Sequence, residues 1–144
     1  MDVIYTDFEK AFDRVPHNKL IEQLLSYGVN VNLIEWIKDF LKSRTSCVRG
    51  NGCLSDCFDV TSGVPQGSVL GPLLFVIYVN DMFQILDGDE SLGLFLYADD
   101  AKLFKCVSSN DHRELWQIYL NAFLKWCHLK FNVNRNLMLI GFIK

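Results

Sequence analysis

The stretch Val69-Leu70-Gly71-Pro72-Leu73-Leu74-Phe75-Val76-Ile77-Tyr78-Val79 is the longest apolar run in the chain, and Asn80-Asp81 ends it abruptly. A helix needs about 20 such residues to cross a bilayer, so this run has to be covered by the rest of the protein. Ser68 stands where an N-cap belongs. The pattern predicts a helix over residues 69–86, apolar nearly all round and therefore buried on several sides. A chain of 144 residues, half of them apolar, can supply that cover. No repeat, low-complexity tract or linker interrupts it, which predicts one globular domain.

The remaining periodicities describe the partners of that helix. Val3-Ile4-Tyr5-Thr6 is β-branched and aromatic, a strand running directly into Asp7. Leu20, Ile21, Leu24 and Leu25 recur at helical spacing after Pro16 and stop at Gly28, an expected C-cap. Asn32 with Glu35 has the form of a capping box, and Leu33, Ile34, Ile37, Phe40 and Leu41 give a second helix its apolar face. Asn51-Gly52 supplies the turn of a hairpin with two short strands inside residues 45–60. Leu94-Phe95-Leu96-Tyr97 and Ala101-Lys102-Leu103-Phe104 bracket Asp99-Asp100, a second hairpin with acids at its tip. Leu115, Tyr119, Phe123 and Cys127 mark a helix over residues 110–127, and residues 131–142 return to short β-like runs. This order predicts an α+β domain with helices packed on one face of an antiparallel sheet.

Three aspartates sit where an apolar pattern does not call for them: Asp7 at a strand end, and Asp99 and Asp100 between two strands. Like charges held together cost folding free energy unless a cation compensates. Hard oxygen donors without His or Cys suit Mg²⁺, which takes its other ligands from water and substrate phosphates. Two such ions about 4 Å apart serve in-line phosphoryl displacement. The alternative is an ordinary acidic turn, since Asp is common there.

Charge and cysteine usage narrow the setting. The formal net charge of −3 does not by itself point to nucleic acid, whose phosphates are usually met by lysine and arginine. Cys47, Cys53, Cys57, Cys106 and Cys127 are odd in number and irregularly spaced, and no signal peptide is evident. The expectation is free or buried thiols in an intracellular, reducing compartment, nuclear or cytoplasmic.

Three spaced motifs carry a family resemblance. Asp7-Phe8-Glu9-Lys10-Ala11-Phe12-Asp13-Arg14-Val15-Pro16-His17 resembles the first palm motif of reverse transcriptases from non-LTR (LINE-type) retrotransposons. Ser62-Gly63-Val64-Pro65-Gln66-Gly67-Ser68-Val69-Leu70-Gly71-Pro72 resembles their second, and Tyr97-Ala98-Asp99-Asp100 their third. The intervening segment, with Trp36, Phe40-Leu41 and Asn51-Gly52, is also similar, so the likeness covers essentially the whole chain.

The resemblance implies a polymerase palm of the ferredoxin-like, split βαβ kind. Residues 1–144 would form a single partial reverse transcriptase domain whose fingers and thumb are largely absent. It implies RNA-templated DNA synthesis, with Asp7 and Asp99 as principal ligands of two Mg²⁺ ions, or Mn²⁺ in their place. The Phe8 carbonyl would be a further ligand, and Asp100 a neighbour at the primer terminus. Phe12 would lie below the nucleotide sugar and exclude a ribose 2′-hydroxyl; its alternative is a core phenylalanine. Gln66-Gly67 would form the loop under the templating base pair, the alternative being an ordinary loop before a capped helix.

The implied partners are an RNA template, a DNA primer, deoxynucleoside triphosphates and the remaining segments of a longer polyprotein, with no membrane. Where the family usually has a lysine after a Phe-Asn stretch, this chain has Arg135. Arginine stabilises phosphate charge but donates a proton poorly. The missing fingers and Arg135 together support a second reading, a non-catalytic, truncated retroelement remnant or interaction domain.

Overall fold

The computed structural model describes residues 1–8, 10–86, 91–131 and 138–143; for Asp7, Leu86 and residues 138–143 it describes the backbone. Two compact units emerge, one from Met1–Ala11 with Tyr78–Lys144 and the other from Phe12–Ile77.

The first unit is built on a four-stranded sheet. Its strands are β1 (Asp2–Phe8), β6 (Leu92–Tyr97), β7 (Asp100–Lys105) and β8 (Met138–Ile143), in the order β6-β7-β1-β8. Every neighbouring pair is antiparallel. β1 and β6 thus run parallel with β7 inserted between them, and β7 and β8 are separated by β1 in the same way. These two interleaved split βαβ units give the ferredoxin-like arrangement and the α+β class expected. Alternation sets the faces: Ile4, Thr6, Phe8, Leu94, Ala101 and Leu103 are buried, while Tyr5, Phe95, Tyr97 and Asp100 are exposed. Thr6, buried among apolar residues, satisfies its hydroxyl by donating to the Ala101 carbonyl at 3.1 Å.

Helix α4 (Asn110–Phe131) covers the buried face. Ser109 Oγ accepts the His112 amide at its start. The helix runs one turn further than the sequence predicted, so Phe131 is its last residue and strand structure resumes at Met138. Its buried face is Trp116, Phe123, Cys127 and Phe131; Leu115 is exposed instead. Phe8 meets Phe123 and Phe131 with ring centroids 6.3 and 5.3 Å apart.

A polar clasp fixes α4 from the other side. The Lys130 ammonium pairs with Asp81 at 2.7 Å and donates to the Tyr78 carbonyl, while Trp126 Nε1 donates to Asp81. The Tyr78 hydroxyl donates to the Lys130 carbonyl. Asp81 belongs to a 3-10 helix over Asn80–Leu86, which replaces the predicted last turns of the apolar helix.

The second unit begins within a 3-10 turn, Ala11–Arg14, and continues into α1 (His17–Ser26). α1 closes as expected at Gly28: the Gly28 amide donates to Leu25 and the Val29 amide to Leu24, a Schellman motif. α2 (Val31–Leu41) is capped by Asn30, whose side chain accepts the Asn32 amide at 2.9 Å. The Asn32/Glu35 capping box is therefore corrected. Glu35 instead binds Lys38 at 2.6 Å, which holds its carboxyl below the usual range. Only Ile34, Ile37 and Leu41 of the predicted apolar face are buried, whereas Leu33 is exposed. Trp36 and Phe40 stack on the outer side.

α3 (Leu70–Val79) starts as expected from Ser68, whose Oγ accepts the Gly71 amide. Its all-round burial is not observed: Val69, Leu73 and Val76 form an exposed apolar stripe opposite buried Leu74, Phe75 and Tyr78. The segment over residues 45–60 holds a hairpin within a hairpin. β3 (Arg49–Gly50) pairs with β4 (Cys53–Leu54) across Asn51-Gly52, and β2 (Thr45–Ser46) pairs with β5 (Phe58–Asp59) outside them. The outer register puts Cys47 and Cys57 across from each other, Cα atoms 4.4 Å apart, and they form a disulfide. This corrects the expectation of free thiols for that pair. Cys53 and Cys106 are free and exposed, and Cys127 is free and buried.

The loop before α3 is sewn to the chain that follows β1. Pro16 bridges to Ser62, the Gly63 amide donates to Val15, and the Val64 amide to Phe12. Gly63 has φ +83°, and a Cβ there would lie 2.6 Å from the Asp13 Cα. Gly67, with φ +81°, faces open space at the third position of a Pro65-Gln66-Gly67-Ser68 turn closed by the Ser68 amide on the Pro65 carbonyl.

Two outcomes are expected. Gly67→Ala should cost about 1 kcal/mol of stability from backbone strain alone, and Gly63→Ala distinctly more, because strain and a backbone clash combine; urea unfolding of both variants measures the order. Burial pushes the Cys127 thiol up to about 12. At pH 8, iodoacetamide should modify Cys53 and Cys106 in the native chain and reach Cys127 only on unfolding, as peptide mass mapping would show.

Candidate functional site

In antiparallel pairing β1 sets Thr6 against Ala101 and Asp7 against Asp100, so the two acidic positions are direct cross-strand partners. Such partners have Cα atoms about 4.5–5.5 Å apart. β6 and β7 are joined by a two-residue turn, Ala98-Asp99, with Tyr97 paired to Asp100. The turn residues are thus one position earlier than the sequence predicted: Asp100 opens β7, and Asp99 alone stands in the loop with Ala98. Ala98 adopts φ +53°, the left-handed conformation a tight hairpin requires and a non-glycine residue resists. Asp99 is half-buried and Asp100 exposed.

This brings three aspartate positions to one end of the sheet: Asp7 on β1, Asp100 on the neighbouring β7, and Asp99 in the turn from β6 to β7. Among the described residues no lysine or arginine forms an ion pair with Asp99 or Asp100. Among the described side chains no group of three His, Cys, Asp or Glu residues is poised to hold a metal; the third aspartate, Asp7, is placed here by its backbone. The three positions are all aspartate, whose side chain offers hard oxygens and neither nitrogen nor sulfur. Donors of that chemistry suit a divalent cation of the magnesium type. Phe8 ends β1 with its ring packed on α4, opposite Met138 of β8.

The nucleotide-facing candidates lie in the second unit. Phe12 is half-buried and stacks on Phe75, centroids 4.3 Å apart, so the ring is held in place. Gln66 is exposed at the crest of its turn, and its amide lies 3.3 Å from Asp13 Oδ1, to which it donates. The Ser62 hydroxyl donates to the Asp13 carbonyl. The structure thereby joins Phe12 and Gln66 through the intervening Asp13 and the Val64 amide on the Phe12 carbonyl. Arg135 falls outside the described residues.

Sequence reasoning missed Asp13 and Arg44. Asp13 stands within the first quoted motif, and its link to Gln66 depends on a contact across 53 positions. Arg44 carries no local signal: it sits after a left-handed Ser43 (φ +54°), donates Nε to the Leu41 carbonyl, and donates Nη2 to the carbonyls of Gly63 (2.6 Å) and Ser62 (3.3 Å). Burial pulls its pKa down from the ordinary value, and the charge of Asp13 opposes that. The group remains a cation.

Residues 3–136 match the family described as Reverse transcriptase (RNA-dependent DNA polymerase). The RNA-directed DNA polymerase from mobile element jockey of Drosophila funebris is 36% identical over 139 residues, covering 92% of this chain and 15% of that protein. The probable RNA-directed DNA polymerase from transposon X-element of Drosophila melanogaster is 32% identical, with the same coverage of 92% and 15%. The chain therefore spans about 15% of the length of these curated relatives. Among solved structures, apo telomerase from Candida tropicalis, truncated from its C-terminal domain, superposes with a TM-score of 0.66 at 19% identity. That match covers 99% of this chain and 31% of the telomerase chain, a likeness of fold. Motifs, topology and relatives agree, and the chain belongs to the reverse transcriptase family, on its non-LTR retrotransposon branch.

Proposed function

We propose that this chain is the palm portion of an RNA-directed DNA polymerase, working within a longer polypeptide that supplies fingers and thumb. In the reaction a primer 3′-hydroxyl attacks the α-phosphate of a deoxynucleoside triphosphate paired to an RNA template, and pyrophosphate leaves. The supporting observation is the register of β1 on β7, which sets Asp7 against Asp100 with Asp99 in the adjoining turn. Asp7 and Asp99, with the Phe8 carbonyl, would hold two Mg²⁺ ions, and Mn²⁺ would substitute. When bound, such ions supply the positive charge that the attacking and leaving oxygens need. Asp100 stands beside the primer terminus, Phe12 meets the sugar, and Gln66-Gly67 supports the templating pair. Arg135 is assigned to the charge of the departing pyrophosphate.

Among the described residues no helix is long and apolar enough to cross a membrane. The proposed partners are an RNA template, a DNA primer and deoxynucleoside triphosphates, in an intracellular setting.

The test is a graft of residues 1–144 in place of the corresponding segment of an intact relative. The graft should extend a DNA primer on an RNA template with Mg²⁺, whereas the 144-residue chain alone should give negligible extension. Asp99→Asn in the graft should lower extension at least roughly a thousandfold with folding retained. Persistence of activity in that variant would remove Asp99 from the metal-binding set. Phe12→Ala should weaken the preference for deoxy- over ribonucleotides by about 10- to 200-fold, measured as the ratio of kcat/KM values. An unchanged ratio would leave Phe12 a packing residue.

A further inference from the structure

Arg44 has no assigned part in the chemistry, yet it is the cation on which the Gln66 loop converges. Its guanidinium spans from the last turn of α2, through the Leu41 carbonyl, to the carbonyls of Ser62 and Gly63. His17 Nε2 lies 2.9 Å from the same Gly63 oxygen and 3.2 Å from Arg44 Nη2. The tautomer protonated at Nε2 donates to Gly63, so that carbonyl accepts from both side chains. On the other side, Gly63 presses against Asp13, and Asp13 binds Ser62 and Gln66. The loop is therefore gripped from two sides: by Arg44 and His17 at its carbonyls, and by Asp13 at the Ser62 hydroxyl and the Gln66 amide. Ser43 accepts a left-handed backbone immediately before Arg44, a local cost paired with this contact.

We propose that Arg44 is a positioning residue for nucleotide selection: it locks the backbone at Ser62-Gly63 so that Gln66 and Phe12 present one fixed surface to the incoming deoxynucleotide and its template base. The proposal rests on the polymerase reading of Gln66 and Phe12. It assigns Arg44 no contact with substrate. A planar guanidinium with several fixed donors serves carbonyls in different directions at once, which the point charge of lysine does not.

The experiment has two arms. In the 144-residue chain, hydrogen exchange at the Gly63 and Val64 amides is compared for wild type, Arg44→Met and Arg44→Lys. Both variants should lose protection there by about tenfold, with the β1–β7 ladder unchanged. Retained protection would overturn the clamp, and Arg44→Lys keeps the comparison open if Arg44→Met does not fold. In the active graft, Arg44→Lys should raise the nucleotide KM about tenfold, with kcat reduced less than about twofold, and should narrow the deoxy/ribo preference. Lost protection with unchanged KM and sugar preference would overturn the positioning role and leave a structural clamp. A silent wild-type graft would sink the polymerase reading, and the nucleotide-facing role with it, while the exchange data still decide the clamp.

Discussion

The antiparallel ladder between β1 and β7 is the constraint on which the acidic site depends. Side chains alternate along a strand, so a slip of one residue would exchange the buried and exposed faces and carry Asp7 away from Asp100. Several interactions hold the register. Ile4 and Leu103 are buried partners, and the Thr6 hydroxyl donates to the Ala101 carbonyl beside the acidic row. Phe8 is locked between Phe123 and Phe131. Burying such a ring contributes about 1.5–3 kcal/mol. Like charges directly across a ladder cost a fraction of that, roughly 0.2–1 kcal/mol, so apolar packing one residue away is enough to hold the aspartates together.

The same logic explains why α4 is anchored twice. Its apolar face grips the sheet, and its polar end is held by the Lys130–Asp81 pair with Trp126 and Tyr78 around it. This pair is mostly sheltered from water, and each charge also meets a hydrogen-bonding or aromatic neighbour, the condition under which a buried ion pair is tolerated. Asp81, which reads in the sequence as an interruption of an apolar run, is in the structure the anchor of the last helical turn.

In the second unit, backbone hydrogen bonds do the work that the sheet does in the first. The chain from Phe12 to Pro16 and the loop from Ser62 to Val64 are joined by the Gly63 amide on Val15, the Val64 amide on Phe12 and the Ser62 hydroxyl on the Asp13 carbonyl, and Gly63 permits the closeness. Phe12 and Gln66, distant in sequence, become parts of one surface fixed by Asp13 and Arg44. The apolar stripes left open on α2 and α3 show that helical periodicity alone overstates burial: Leu33, Leu73 and Val76 fit an apolar pattern and remain exposed.

The sequence by itself determined the motifs, the α+β class, the paired acidic positions, the Ser68 cap, the Gly28 termination and the hairpin at Asn51-Gly52. Each is a local property, set by side-chain periodicity or by the backbone freedom of a few residues. It misplaced the cap of α2, because Asn30 and Asn32 are both competent and only the path of the chain selects one. It could not pair Cys47 with Cys57, since that depends on the register of β2 on β5. Tertiary structure alone decided that Asp7 pairs with Asp100 in the strand register, that Asp81 holds Lys130, and that Arg44 reaches the carbonyls of Ser62 and Gly63. These contacts join residues 18 or more positions apart, and they follow from strand register and packing, which no local spacing encodes.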